Sequence, residues 1–250
     1  MNRIGSMPED GLLLRVTGLG KRFGGLQAVG NLDFEVRRGQ VVGLIGPNGA
    51  GKSTIFSLIG GSEKPSAGKI EFEGRPITGL RPSRIAQLGI ARTFQIVRPL
   101  PRLTVLENVM IGAYCRVTRK SWAREIALAS LEFTGLIHRK DALARSLTIA
   151  DRKRLEITRA LATQPLLLLL DEVMAGLTPT ETEAAVELLH RIRARGVSMV
   201  VIEHVMRVIM SVSDTLVVLN YGEKIATGDP QTVANDPAVI GAYLGGDSVA

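Results

Sequence analysis

Two hydrophobic rhythms alternate along this chain. Short apolar runs occupy residues 12–16, 41–45, 166–170 and 197–202, while other stretches carry apolar residues three or four apart. The runs read as strands, and the unbroken run 166–170 has the pattern of a central parallel strand covered on both faces. Residues 31–36 form a further short strand, and 68–74 alternate between Gly68 and Gly74. Helical spacing covers 151–162, which stops before Pro165, and 180–195, which ends at Gly196. Residues 215–219 and 223–226 flank Asn220-Tyr221-Gly222 as a hairpin. Between 106 and 147 strand signals vanish, and Trp122, Ile126, Ala129, Leu131 and Phe133 mark a helical stretch.

This order predicts an α/β fold: a mostly parallel sheet with flanking helices, an N-terminal antiparallel β subdomain and an inserted helical lobe. The expected organisation is one domain over 12–246. Residues 1–105 and 148–235 form its core with the β subdomain, 106–147 the lobe, and 236–250 a C-terminal tail.

The chemistry starts at residues 46–54, Gly46-Pro47-Asn48-Gly49-Ala50-Gly51-Lys52-Ser53-Thr54. They fit the phosphate-binding pattern G-x-x-x-x-G-K-[ST], and they lie between an apolar run and the first turns of a helix, as a P-loop requires. Glycines let successive backbone N–H groups curl toward phosphate oxygens at the positive end of that helix. Lys52 would reach the β and γ phosphates, and the Ser53 hydroxyl would ligate Mg²⁺. A nucleoside triphosphate is the implied ligand, on a P-loop NTPase core.

Asp171-Glu172 follows the 166–170 run, at the carboxyl end of a strand, where ligands of open α/β sheets gather. Asp171 is the expected Mg²⁺ carboxylate, and Glu172 the expected general base for an attacking water. His204 follows the next strand, placed to bond the γ phosphate or hold that water. His138 and His190 read as structural. Gln95, in Arg92-Thr93-Phe94-Gln95, is a candidate Mg²⁺ ligand that would signal nucleotide state to the lobe.

Composition adds limits. The chain has 250 residues, 45% of them hydrophobic, and a single cysteine, Cys115, so no intrachain disulfide can form. Residues 1–10 lack the apolar core of a signal peptide, and no run approaches the ~20 residues of a spanning helix. The net charge is +7, and residues 114–160 hold eleven basic against five acidic side chains. The simplest reading is a solvated helical face; sharper ones are an anionic membrane surface or bound phosphates. Aromatics make up only 4%, without the interleaving that nucleic-acid binding uses, so no nucleic acid is expected.

The ordered set of P-loop, Gln95, Leu147-Thr148-Ile149-Ala150-Asp151, 166–172 and His204 closely resembles the nucleotide-binding subunit of ABC transporters. Within that superfamily, Phe23-Gly24-Gly25-Leu26, Arg92-Thr93-Phe94-Gln95, Arg154-Leu155-Glu156-Ile157 and the segment 236–245 are similar to the branched-chain amino acid importer group. The resemblance implies that Phe23 stacks on adenine and that the cofactors are ATP and Mg²⁺. It also implies a head-to-tail pair with a second ATP-binding subunit, itself or a paralogue, each ATP lying between one P-loop and the other chain's signature, here Leu147 to Asp151. The lobe would dock on the permease subunits of a membrane transporter, peripheral to the cytoplasmic side of the membrane, with an external solute-binding protein acting through the permease. The reaction would be ATP hydrolysis coupled to uptake of branched-chain amino acids or a related amide-type solute. The alternatives are the ATPase of a lipid or lipopolysaccharide exporter, and a nucleotide-switched module with weak hydrolysis.

Departures from the family pattern stand in the signature, usually Leu-Ser-Gly-Gly-Gln. Thr148 keeps a hydroxyl, Ala150 replaces a glycine, and Asp151 puts a negative charge where a neutral amide is usual. Arg152, Lys153 and Arg154 are expected to offset that charge. Val173 stands where proline is frequent after the glutamate. These changes bear on hydrolysis rate more than on nucleotide binding.

Overall fold

The computed structural model describes residues 11–93 and 99–244. Strands β1 (Leu12–Phe23) and β2 (Leu26–Arg37) open the chain, followed by β3 (Val41–Ile45) and helix α1 (Lys52–Ile59). Then come β4 (Ala67–Phe72), β5 (Arg75–Pro76), α2 (Pro82–Leu88) and β6 (Ile90–Arg92). Helices α3 (Val105–Ala113), α4 (Lys120–Phe133) and α5 (Ile149–Ala162) lead back to strand β7 (Leu167–Asp171) and α6 (Pro179–Ala194). The chain ends with β8 (Ser198–Ile202), α7 (Met206–Val212), β9 (Thr215–Asn220), β10 (Glu223–Gly228), α8 (Pro230–Ala234) and α9 (Pro237–Leu244).

Two sheets result. One has the order β2-β1-β4-β5 and is antiparallel throughout; the other has the order β10-β9-β3-β8-β7-β6 and is parallel except for the β9–β10 hairpin. The period-two pattern sorts the core. Val42 and Leu44 of β3, with Leu167 and Leu169 of β7, pack into a cluster that includes the antiparallel sheet and α1. Val41, Ile45, Leu168 and Leu170 face the opposite cluster, with α6 and α7. Every residue of β3, β7 and β8 is buried, because both faces are covered. A third cluster joins α3 and α4 to one face of α5, through Leu155 and Ala162. Ile157 and Ala160 of α5 belong to the second cluster, so this helix is shared between two cores.

The antiparallel strands run well past 12–16 and 31–36, meeting at the Gly24-Gly25 turn, because register shifts let the hairpin bend while pairing continues. Helix α5 starts at Ile149 rather than 151, since Thr148 caps it by accepting the Asp151 N–H. Helices α2, α7, α8 and α9 and strand β6 are too short to show a period in the sequence. The lobe's buried stripe also differs from the expected one. It is Ala123, Ala127 and Leu131 at i, i+4, i+8, whereas Trp122 is 50% exposed beneath the Arg119 guanidinium. Small side chains win the inward face because they let three helices approach closely.

Nor is the basic segment simply a solvated face. Arg116 donates to the carbonyls of Thr163, Gln164, Ala86 and Gln87, tying the end of α3 to α5 and α2. Lys153 is buried, and so is Glu156, which pairs with Arg159. Among the described residues no helix is long and apolar enough to cross a membrane.

Candidate functional site

β3 delivers the chain into the 46–54 loop at the carboxyl end of the parallel sheet. Two glycines there are obligatory. Gly46 has φ of 149° and Gly51 of 100°, and a Cβ would lie 2.1 Å from the Leu219 carbonyl oxygen or 2.4 Å from that of Ala28. Gly51 is the N-cap of α1, and no side chain caps that helix and no acid occupies its first turn. Its leading N–H groups are thus left for an anion. Lys52 is 6% exposed and donates to the carbonyls of Gly46 at 2.6 Å and Pro47 at 2.8 Å, which aims its amine across the loop. Burial pushes its ammonium below the ordinary lysine range, and the charges of Glu172 and Asp171 oppose that shift.

Asp171 closes β7 and is 2% exposed. Arg92 Nη2 donates to its Oδ2 at 3.0 Å, and Thr93 Oγ1 accepts its backbone N–H at 3.1 Å. Its other oxygen, Oδ1, is buried with no hydrogen-bond partner among the described residues. Burial raises its carboxyl from the ordinary range, against the pull of Arg92 and Lys52. A buried carboxylate oxygen without a donor suits a hydrated divalent cation, and the oxygen-only set of Ser53 and Asp171 has the hardness Mg²⁺ prefers.

Glu172 follows in left-handed backbone, φ 48°. Its Oε1 lies 2.6 Å from His204 Nε2. A cleft of about 510 Å³ is lined by Phe23, Leu26, Asn48 through Thr54, Glu172 and Tyr221. The structure therefore brings Phe23, the P-loop and Glu172 to one cleft, with His204 on the carboxylate. Phe23 is 45% exposed, and Lys21 Nζ lies 4.6 Å from its ring centroid. Gln95 lies outside the described residues.

Leu147 to Asp151 are not brought to this cleft; none of them lines it. They form the start of α5, with Thr148 and Ile149 exposed, Ala150 and Asp151 half-buried, and Leu147 buried. The cation that pairs with Asp151 is not one of the three expected neighbours. Lys153 turns inward, Arg152 donates to the Arg145 carbonyl, and the Asp151 carboxylate instead meets Arg139 Nε at 3.9 Å. Val173 is buried in the second core, which accounts for an apolar residue there.

Several residues of this region carry no sequence signal of their own. Arg92 stands in the sequence only as a member of the Arg92-Thr93-Phe94-Gln95 segment, and Tyr221 only as a turn residue. Tyr221, at φ 45° and 86% exposed, stands at the cleft rim because Gly222 N–H donates to the Ala50 carbonyl. Tyr243 of α9 has its phenol raised by burial, opposed by a hydrogen bond from the Gly46 backbone.

A parallel sheet with a phosphate loop on β3, the paired carboxylates after β7, and a histidine after the intervening β8 defines a P-loop NTPase cassette. The chain belongs to the ABC transporter family: residues 29–175 match that family, and 223–249 match the branched-chain amino acid ATP-binding cassette transporter family. It is 40% identical to the high-affinity branched-chain amino acid transport ATP-binding protein LivG of Salmonella typhimurium, over 93% of this chain and 98% of that one. It is 39% identical to BraF of Pseudomonas aeruginosa, of the same description and with the same coverage. A nucleotide-free ATP-binding cassette of an ABC transporter superposes with a TM-score of 0.86 at 33% identity, covering 93% of this chain and 98% of that chain. A cassette solved in its ADP conformation gives 0.85 at 33% identity, covering 94% and 99%. The chain is thus an ABC ATP-binding subunit, homologous to the importer group.

Proposed function

We propose that this chain hydrolyses ATP to power uptake of branched-chain amino acids through a separate membrane permease. The observation that carries the reaction is the Glu172 carboxylate, held by His204 at 2.6 Å in the cleft that contains the P-loop. Backbone N–H groups at the start of α1 would take the phosphates, Lys52 the β and γ oxygens, and Phe23 the adenine face. Ser53 and Asp171, with Gln95, would hold Mg²⁺, which when bound spreads the charge developing on the phosphates. Glu172 would accept the proton of the attacking water, and His204 would hold that carboxylate in line.

The exposed start of α5 and its absence from the lining of its own cleft support a site completed by a second cassette, identical or paralogous, facing head to tail. Its Thr148 hydroxyl and α5 N-terminus would meet the other chain's ATP. The chain would sit on the cytoplasmic face of the membrane against permease subunits, with an external solute-binding protein upstream. The names of the relatives and the match over 223–249 support branched-chain amino acids as the solute and weigh against the exporter reading.

The test is phosphate release from the purified protein with MgATP across protein concentrations, beside Glu172→Gln. Turnover should rise faster than linearly with concentration and fall by about 10²- to 10⁴-fold in the variant, with ATP binding retained. Release that is linear, or indifferent to Glu172→Gln, overturns the reading.

A further inference from the structure

We infer that Lys153 and Glu203 are positioning residues for Glu172, and that Lys153 couples the carboxylate to the signature end of α5. This rests on the proposed role of Glu172 as the base. Glu172 holds a left-handed conformation that a non-glycine residue adopts at a cost of about 1–3 kcal/mol. Main-chain ties hold the turn in that shape. Its N–H donates to the Ile202 carbonyl at 2.9 Å, its carbonyl accepts from Lys153 Nζ at 2.8 Å, and the Met174 N–H donates to Glu203 Oε1 at 2.9 Å.

The two side chains that supply these ties are charged and buried, Lys153 at 8% and Glu203 at 3% exposure. Neither lines the nucleotide cleft. Burial pushes the Lys153 ammonium down and the Glu203 carboxyl up, and the charge of each opposes the shift of the other. Burying charged side chains is seldom a route to stability, since well-packed apolar residues often do as well. A lysine amine, however, reaches a buried carbonyl from a neighbouring helix and binds it more strongly than a neutral donor would.

The location of Lys153 sets the second part. It stands in the first turns of α5, whose cap is Thr148. One rigid helix therefore carries the signature at its tip and, just beyond, the amine that fixes the Glu172 peptide. Movement of α5 when its tip meets the other chain's ATP shifts that amine and reorients the Glu172 backbone. Occupancy of one ATP site is thereby reported to the hydrolytic carboxylate of the other.

The experiment uses the full chain with Lys153→Met, Lys153→Arg and Glu203→Leu, each titrated with MgATP and followed by phosphate release and thermal melting. Lys153→Met and Glu203→Leu should lower kcat by about 10- to 100-fold while KM stays within about twofold, and Lys153→Arg should recover most of the loss. In a Glu172→Gln background, Lys153→Met should leave ATP-driven dimerisation, read by gel filtration, unchanged. Wild-type kcat in Lys153→Met overturns the inference. So does a loss shared equally by Lys153→Arg and accompanied by a lower melting point and failed dimerisation, which marks a packing role. Failure of the underlying reading shows separately, as turnover surviving in Glu172→Gln itself.

Discussion

The molecule presents two helix N-termini with phosphate chemistry in the family plan, and they are furnished in opposite ways. Helix α1 begins at a left-handed glycine, has no side-chain cap and carries no acid in its first turn. Helix α5 begins at Thr148, which already accepts the Asp151 N–H, and Asp151 itself adds a negative charge to that first turn. The macrodipole and the free N–H groups of α1 are thus wholly available to an anion, while those of α5 are partly answered from within. Arg139, at 3.9 Å, returns some of the lost positive potential, though as an exposed pair it contributes little. The contrast is one of local electrostatics: the α1 terminus is left open to an anion, whereas the α5 terminus is partly answered by its own Thr148 and Asp151.

The comparison breaks most forcefully at the support of α5. Leu131 is fully buried under that helix, so Leu131→Ala should lower unfolding free energy by about 2–5 kcal/mol. Half-exposed Trp122→Ala should stay within about 0.5 kcal/mol, and equal losses in denaturant titrations would restore the Trp122-centred stripe. On the α1 side, Lys52→Ala should weaken ATP binding by about 10- to 100-fold, from the roughly 1.5–3 kcal/mol of a charged hydrogen bond. Fluorescent-nucleotide titration checks this, and unchanged affinity would remove Lys52 from the site. Bringing the last two signature positions of α5 to the usual residues through Ala150→Gly with Asp151→Gln should raise turnover by about 2- to 5-fold, the size of a dipole contribution. A fall in phosphate release would instead make Asp151 a functional adaptation.

The smallest effect is a pH trend at Glu203. Its folded carboxyl is raised by burial, so protonation favours the folded state. The stability it contributes is present below the ordinary glutamate range and is lost as pH rises through the raised value. The melting temperature of Glu203→Gln relative to wild type should therefore increase from acid toward neutral pH. A flat or falling difference contradicts the shift.

How much of this was readable from residues follows from distance along the chain. The P-loop is contiguous, and its glycines, lysine and serine announce themselves, as Asp171 and Glu172 do after an apolar strand. The parallel core was legible for the same reason, since β3, β7 and β8 are apolar but for Asp171 at the end of β7 and Ser198 at the start of β8. What escaped is non-local or contrary to type. Arg92 meets Asp171 across the sheet, and Lys153 sits in a run of three cations yet points inward. No local pattern distinguishes it from Arg152, because only the crossing of α5 over the Glu172 turn decides which cation is covered. The stripe of α4 misled likewise: Trp122 is the most hydrophobic-looking residue there, but three-helix packing selects the alanines.

Sheet order has a consequence for how the protein is made. Strand β3, which carries the phosphate loop, pairs on one side with β8 and on the other with β9, both encoded in the last fifth or so of the chain. During synthesis the loop's strand emerges early and then waits with both edges open until β8 follows, and with one still open until Asn220 has left the ribosome. A fragment stopping before Ser198 holds the whole 46–54 motif and neither of the strands that frame it. Such a truncation should be prone to aggregate rather than to bind nucleotide, and the last stretch of translation becomes the step at which the site comes into being.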